Sequence, residues 1–491
     1  MNRKYLSIDI GASSGRMILS TIQNNHVDII ELYRFKNSPI LHQGTLQWDF
    51  YSMMENIYEG LELSFKEHPE ILSIGIDTWG CDYGLIGMND LILRNPVCYR
   101  DGRTKGIEKR VYHVISKNDL YEKTGIQYLH FNSIYQLAYD AKHHPDLINQ
   151  TKHILLIPDL IAFYLTGSAR TELTNLSTTN LYNSKDKMII FEINALGIPM
   201  DMFPPIIQPG EVYGNIKESL SKKYHIPQTK VIAVCSHDTA SAVLSLPARK
   251  QAYISSGTWS LIGTTLTHPL MTKEALSENY TNEIGYGHSI RFLKNMIGLW
   301  IINQCLETWK SEGHDYSFKD IEMMALSDRR KSGLIDPDHP MFEQPSNMVK
   351  KIQEFCEMTG QIVPLSPGEI LVTIYKSMAH KYKYTLDRLE MITQDTYPSI
   401  VIIGGGGEIN ILNQMTADIC RKTVMIGSKE ATALGNAMVL WSEDQNLTMD
   451  QCKSLVNPLI GRQLYEPSSI LHLKEYDDFI EVMKRSARIH E

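Results

Sequence analysis

The stretch VIAVCSHDTASA, residues 231–242, decides how this chain is read. Val231 to Cys235 is a continuous apolar run rich in β-branched residues, the pattern of a short buried strand. Ala240, Val243 and Leu244 then recur at helical spacing, and Pro247 closes the run. Ser236, His237, Asp238 and Thr239 therefore sit on a strand-to-helix turn. In open α/β sheets ligands bind outside the carboxyl ends of the strands, at such turns. Read locally, Asp238 is a helix N-cap, with Ser236 as the alternative cap.

Two further bends share one pattern. Tyr5 to Ile10 is extended, Gly11-Ala12-Ser13-Ser14-Gly15-Arg16 is a turn of small residues, and Met17 to Leu19 is extended again. The turn lacks the lysine and following helix of a Walker A loop. Its exposed amides, the Ser13 and Ser14 hydroxyls and Arg16 suit an anion, and Asp9 just before it suits a hydrated magnesium ion. Gln251 to Ile254, Ser255-Ser256-Gly257-Thr258 and Trp259 to Thr265 repeat the plan after Pro247. A strand–turn–strand unit opening each half suggests a duplicated domain, its two hairpins able to hold one polyphosphate between them. Elsewhere, Asp77-Thr78-Trp79-Gly80-Cys81-Asp82 follows the apolar strand Leu72–Ile76. An indole beside two carboxylates suits a sugar, though Trp79 alone reads as core. Tyr99-Arg100-Asp101 contains an acid–base pair of the ordinary surface kind. Pro158 opens a helix that Gly167 ends, and 204–214 reads as a loop. Asn295 is expected between a strand ending near Leu293 and a helix. Ser366-Pro367-Gly368-Glu369 is a capping box opening a long amphipathic helix. Gly404 to Gly407 follow the apolar strand Ser399–Ile403. Consecutive glycines cost conformational entropy, so bare backbone is needed there for a flat ring or a phosphate.

The whole chain narrows the class. It has 491 residues, 43% hydrophobic and 21% charged, with a net charge of −8, so neither nucleic acid nor an anionic membrane is expected as a partner. No apolar run of about 18 residues is present, and MNRKYLSIDIG has no apolar signal core. The seven cysteines form no CxxC pair, which argues against zinc and disulfides and for a cytoplasmic home.

Taken in order, DIGASSGR, ISSGTWS and IIGGGG resemble the first phosphate, second phosphate and adenosine elements of the FGGY family of carbohydrate kinases, within the actin/Hsp70/sugar-kinase class. The resemblance implies an α/β fold of two ribonuclease H-like, actin-like ATPase domains around a central cleft. The N-terminal sugar-binding domain would be 1–246 and the C-terminal nucleotide-binding domain 247–491. SIGIDTWG (73–80), YRDGRT (99–104), SHDTASAV (236–243), SSGTWSL (255–261) and LKNMIGLW (293–300) are similar to one subfamily. They imply ATP- and Mg²⁺-dependent phosphorylation of a small ketose, L-rhamnulose, at its 1-hydroxyl.

Carried across by motif, Asp238 is the general base, a role that outweighs capping, and the helix terminus is expected to favour its ionised form. Ala12, Ser13, Ser14, Gly15, Arg16, Thr258, Gly404, Gly405 and Gly406 bind ATP, with Asn303 or the adjacent Gln304. Gly80, His237, Asp238, Thr239 and Asn295 meet the sugar, and Asp9 holds Mg²⁺ through water. The chain has Gly407-Glu408-Ile409 where the family has Cys-Gln-Asn. A monomer or homodimer is expected. Alternatives are a family kinase for fuculose or xylulose, or a non-catalytic actin-like ATP-binding sensor.

Overall fold

The computed structural model describes residues 2–23, 26–247, 250–328, 332–456, 463–468 and 473–489. The chain forms two compact units. The first comprises Met1–Ala248, Thr265–Phe292 and Glu430–Pro458, and the second Arg249–Thr264, Leu293–Lys429 and Leu459–Glu491. The two later segments of the first unit are a return of the chain that nothing local in the sequence announces. Among the described residues no helix is long and apolar enough to cross a membrane.

The first unit is built on a six-stranded sheet of β1 (Arg3–Ile10), β2 (Ser14–Gln23), β3 (His26–Lys36), β4 (Ser73–Thr78), β5 (Val212–Asn215) and β6 (Lys230–Ile232), in the order β5-β6-β4-β1-β2-β3. β1 and β2 are the expected hairpin, antiparallel with Ile10 opposite Gly15 and closed by Gly11 N–H donating to Ser14 O at 2.8 Å. β1, β4 and β6 run parallel, which sets the carboxyl ends of three strands side by side. Parallel strands are covered on both faces, and β4 is buried along its whole length. Helices Phe50–Glu67 and Ala431–Gln445 supply cover. Asp49 caps the former, accepting from Ser52 N–H at 3.1 Å. The segment 204–214 is less loop-like than expected. Val212–Asn215 pairs antiparallel with β6, closing that edge of the sheet.

The second unit carries β7 (Ala252–Ser256), β8 (Trp259–Leu266), β9 (Ile290–Ile297), β10 (Ser399–Ile403), β11 (Thr423–Ile426) and β12 (Leu464–Tyr465), ordered β9-β8-β7-β10-β11-β12. β7 and β8 form the second hairpin, and β10 and β11 add in parallel. From β9 through β11 the order matches β3-β2-β1-β4-β6 of the first sheet, while the edge strand β12 follows its neighbour in the chain where β5 precedes its own. The capping box of Ser366 and Glu369 is formed and starts the helix Pro367–Thr393. The sequence places the start of this helix by local hydrogen bonds alone.

Candidate active site

The turn at 236–239 is held from beneath by a carboxylate the sequence reading missed. Glu172 is buried, and its Oε2 accepts from Ser236 Oγ at 2.5 Å and from Ser236 N–H at 3.2 Å. It also accepts from Thr174 and Asn175. Thr78 N–H donates to Ser236 O at 2.9 Å, and Thr78 pairs with His237 in parallel. The strand ends are thus fused just before the helix Asp238–Leu244. Both capping expectations fail. The N-cap position is His237 with no side-chain cap bond, because Glu172 holds the Ser236 hydroxyl and Asp238 is already the first helical residue. The Asp238 carboxylate instead accepts from Thr239 N–H at 2.5 Å and Thr239 Oγ1 at 3.1 Å.

Asp9 and Asp77 are register partners on β1 and β4. Asp77 is wholly buried; its Oδ2 accepts from Asn436 Nδ2 at 2.7 Å, while Oδ1 has no partner. Burial, then the charge of Asp9, raises the Asp77 pKa well above the usual carboxylate range. The Asp238 side chain keeps 37% of its exposure, yet sits deep among neighbouring atoms. That crowding, and then Asp9, pushes its pKa up to about 6. The helix terminus was expected to lower it; desolvation and a like charge outweigh the dipole. Arg16 lies between two carboxylates, pairing with Asp9 through one terminal nitrogen and with Glu430 at 2.8 Å through the other.

The Asp9 carboxylate is an oxygen donor of the kind that suits a hydrated divalent cation. Among the described residues no three His, Cys, Asp or Glu side chains are grouped to chelate an ion directly.

Gly80 lies against His237; a Cβ there would stand 3.5 Å from His237 Nε2 and 2.8 Å from Thr178 Oγ1. Trp79 is core, as it reads alone, and the suggestion that Asp77 and Asp82 meet a sugar is corrected, since both are enclosed. Trp79 is 7% exposed and Asp82 1%. Asp82 Oδ2 accepts from the indoles of Trp48 at 2.7 Å and Trp79 at 3.0 Å, whose rings pack with centroids 4.4 Å apart. A buried carboxylate needs such donors, and Gln136 adds another at 2.9 Å. Asp101 caps the turn Gly102–Thr104 and accepts from Leu46 N–H at 2.8 Å. The first unit thus brings together Asp9, the bend Ala12–Arg16, Gly80, His237, Asp238 and Thr239.

In the second unit the carbonyl of Thr258 accepts from Gly298 and Trp300 N–H, both at 3.2 Å. This seats the second bend on the start of the helix Trp300–Ser311. Asn295 lies on β9 rather than beyond it, since the strand runs to Ile297. Asp338 Oδ1 holds that end, accepting from Ile297 N–H at 2.9 Å. Asn303 and Gln304 are both half-buried on the helix. The oligoglycine turn has an internal cause as well. A Cβ at Gly404, where φ is +82°, would meet Ser256 O at 2.9 Å, and one at Gly406 would meet Ser256 Oγ at 1.9 Å. Gly405 alone of these faces open space. The helix Asn410–Cys420 that follows forms one wall of a mostly apolar groove of about 580 Å³.

Residues 4–245 match the N-terminal domain, and residues 252–441 the C-terminal domain, of the FGGY family of carbohydrate kinases. The chain is 37% identical over 494 residues to the rhamnulokinase of Lactiplantibacillus plantarum, covering 99% of this chain and 98% of that protein. It is 39% identical over 438 residues to the rhamnulokinase of Bacillus subtilis, covering 89% of each. In fold it is similar to ligand-bound xylulose kinase from Lactobacillus acidophilus, with a TM-score of 0.78 and 16% identity over 99% of this chain and 97% of that one. Plasmodium falciparum glycerol kinase with ADP gives a TM-score of 0.74 and 17% identity, over 99% of this chain and 98% of that one.

Proposed function

The chain belongs to the FGGY family of carbohydrate kinases, and from that premise we propose that it transfers the γ-phosphoryl group of ATP to the 1-hydroxyl of L-rhamnulose, with Asp238 as general base. The substrate comes from full-length similarity to rhamnulokinases. One observation carries the role of Asp238: its carboxylate is partly open at a strand-to-helix turn, beside Asp9, with its pKa near neutrality. The family division at 1–246 and 247–491 is part of this proposal.

Phosphoryl transfer has a loose transition state, so positioning and charge neutralisation dominate. Asp238 takes the proton of the sugar 1-hydroxyl while that oxygen bonds to phosphorus, and ADP leaves. Gly80, His237, Thr239 and Asn295 orient the sugar. Ala12 to Arg16, Thr258, Gly404 to Gly406 and Asn303 or Gln304 hold ATP. Asp9 would hold Mg²⁺ through water, and the ion would neutralise phosphate charge. Arg16, already fixed by Asp9 and Glu430, keeps further N–H donors for a phosphate oxygen.

Two expected outcomes follow. A base must be ionised to work, so kcat/KM for the sugar should rise with pH through an apparent pKa of about 6 and level off above it. A profile flat across that range would remove Asp238 from the role. Gly405→Ala should leave the melting temperature unchanged and raise KM for ATP, whereas Gly406→Ala should lower the melting temperature because it strikes Ser256. Thermal melts and ATP saturation curves on both variants check this. A coupled ADP-release assay over L-rhamnulose, fuculose and xylulose tests the substrate. The expected order puts L-rhamnulose first in kcat/KM, and preference for another ketose would overturn it.

A further inference from the structure

We propose that Glu283 and Arg291 are positioning residues that fix the His237 proton on Nδ1, so that Nε2 presents a lone pair and recognises a donor hydroxyl of the sugar. The inference deepens the reading of His237 as a sugar contact and rests on it.

Behind His237 lies an ion pair sealed in the first unit. The Glu283 and Arg291 side chains are 5% and 1% exposed, with Arg291 Nη1 3.0 Å from Glu283 Oε2. A buried pair carries a desolvation cost of several kcal/mol per ion. The pair faces the imidazole. Glu283 Oε2 is 3.7 Å from His237 Nδ1, which is itself enclosed and makes no hydrogen bond. On the ring's far side, Nε2 is 3.5 Å from Asp238 Oδ1 and borders Gly80.

Burial and the Arg291 charge keep His237 neutral, its pKa well below the usual value. A neutral imidazole carries one N–H, and an ionised carboxylate only accepts. A lone pair on Nδ1 would point at the Glu283 charge and be repelled; an N–H there is attracted. Glu283, paired with Arg291, therefore holds the proton on Nδ1. Asp238 cannot claim it for Nε2 as strongly, since its Oδ1 already accepts from Thr239 twice. Nε2 and Asp238 Oδ1 are then two acceptors side by side. A ligand satisfies Nε2 only by bringing a hydroxyl donor; a carbonyl or ether oxygen there leaves that nitrogen unpaired and faces the Asp238 carboxylate. The pair thus selects a polyhydroxylated face and rejects a deoxy or keto group at that place.

The test combines a spectrum and a kinetic split. In ¹⁵N-histidine-labelled enzyme without ligand, assigned by difference from His237→Gln, Nδ1 of His237 should be the protonated nitrogen and Nε2 the bare one. In Glu283→Gln the proton should shift to Nε2. KM for L-rhamnulose should rise roughly tenfold with little change in kcat, the effect of one lost hydrogen bond, and Glu283→Asp should restore the tautomer. A proton on Nε2 in the unmodified enzyme, or an unchanged KM in folded Glu283→Gln, overturns the inference. Should Glu283→Gln not fold, the tautomer of the unmodified enzyme decides. If no ketose is phosphorylated, the proposed activity fails, while the tautomer still reads the hold of Glu283 on His237.

Discussion

Asp238→Asn should abolish turnover while leaving the molecule folded and able to bind ATP. General-base catalysis contributes about 10²–10⁴-fold, so kcat should fall by that factor with KM for ATP nearly unchanged. The amide fits where the carboxylate was: its oxygen can still accept from Thr239 N–H. No helix cap is lost, because the cap position is His237. Stability should rise. Asp238 is a carboxylate whose pKa is raised by burial and by Asp9, so its ionisation opposes folding at neutral pH and the opposition fades as pH falls below about 6. Removing that charge also relieves Asp77, whose pKa Asp238 helps raise. A higher melting temperature at neutral pH with lost turnover is the signature of a site that trades stability for activity. Near-normal kcat would remove Asp238 from the mechanism.

Gly435→Ala should unseat the same site from behind. The helices Asp238–Leu244 and Ala431–Gln445 cross so closely that a Cβ at 435 would lie 1.8 Å from the Ser241 carbonyl oxygen. Backbone stands in the way, so no side chain can turn aside. The helices must part, and Asn436 rides on the one that moves. Asn436 donates to buried Asp77 at 2.7 Å, an approach that Gly75 permits, since a Cβ at 75 would strike Asn436 Oδ1 at 2.1 Å. Overpacking of this kind costs about 1–3 kcal/mol or more. Displacing Asp238 by even ~1 Å can cost on the order of a hundredfold in rate. The expected result is a melting temperature lowered by several degrees together with reduced kcat. An unchanged melt would show that the crossing is looser than described.

What the sequence told and what it hid divide by range. The bends at 11–16 and 255–258, the capping box at 366–369 and the strand before Gly404 were legible because their hydrogen bonds close within a few residues. The strand-to-helix turn that carries Asp238 was legible from the apolar run before it and the helical spacing after it. The support was not. Arg16 meets Glu430 across 414 positions, and Asp77 meets Asn436 across 359. Glu172 and Glu283 each sit in unremarkable stretches whose partners are elsewhere in the chain. A small-residue helix containing Gly435 was a usable signal of close packing, but not of what it packs against. The cluster around Trp79 was ambiguous for a related reason. Indole and carboxylate suit a sugar, but Asp82 turns inward to join two indoles, and only the fold distinguishes the cases.

The most direct test of the account is ³¹P NMR of the enzyme with MgATP and L-rhamnulose, run beside Asp238→Asn. The unmodified enzyme should convert ATP to ADP and an equal amount of a phosphomonoester on C1 of the sugar, with no such signal from the variant. Inorganic phosphate alone, no sugar phosphate, or an equally active variant would contradict it.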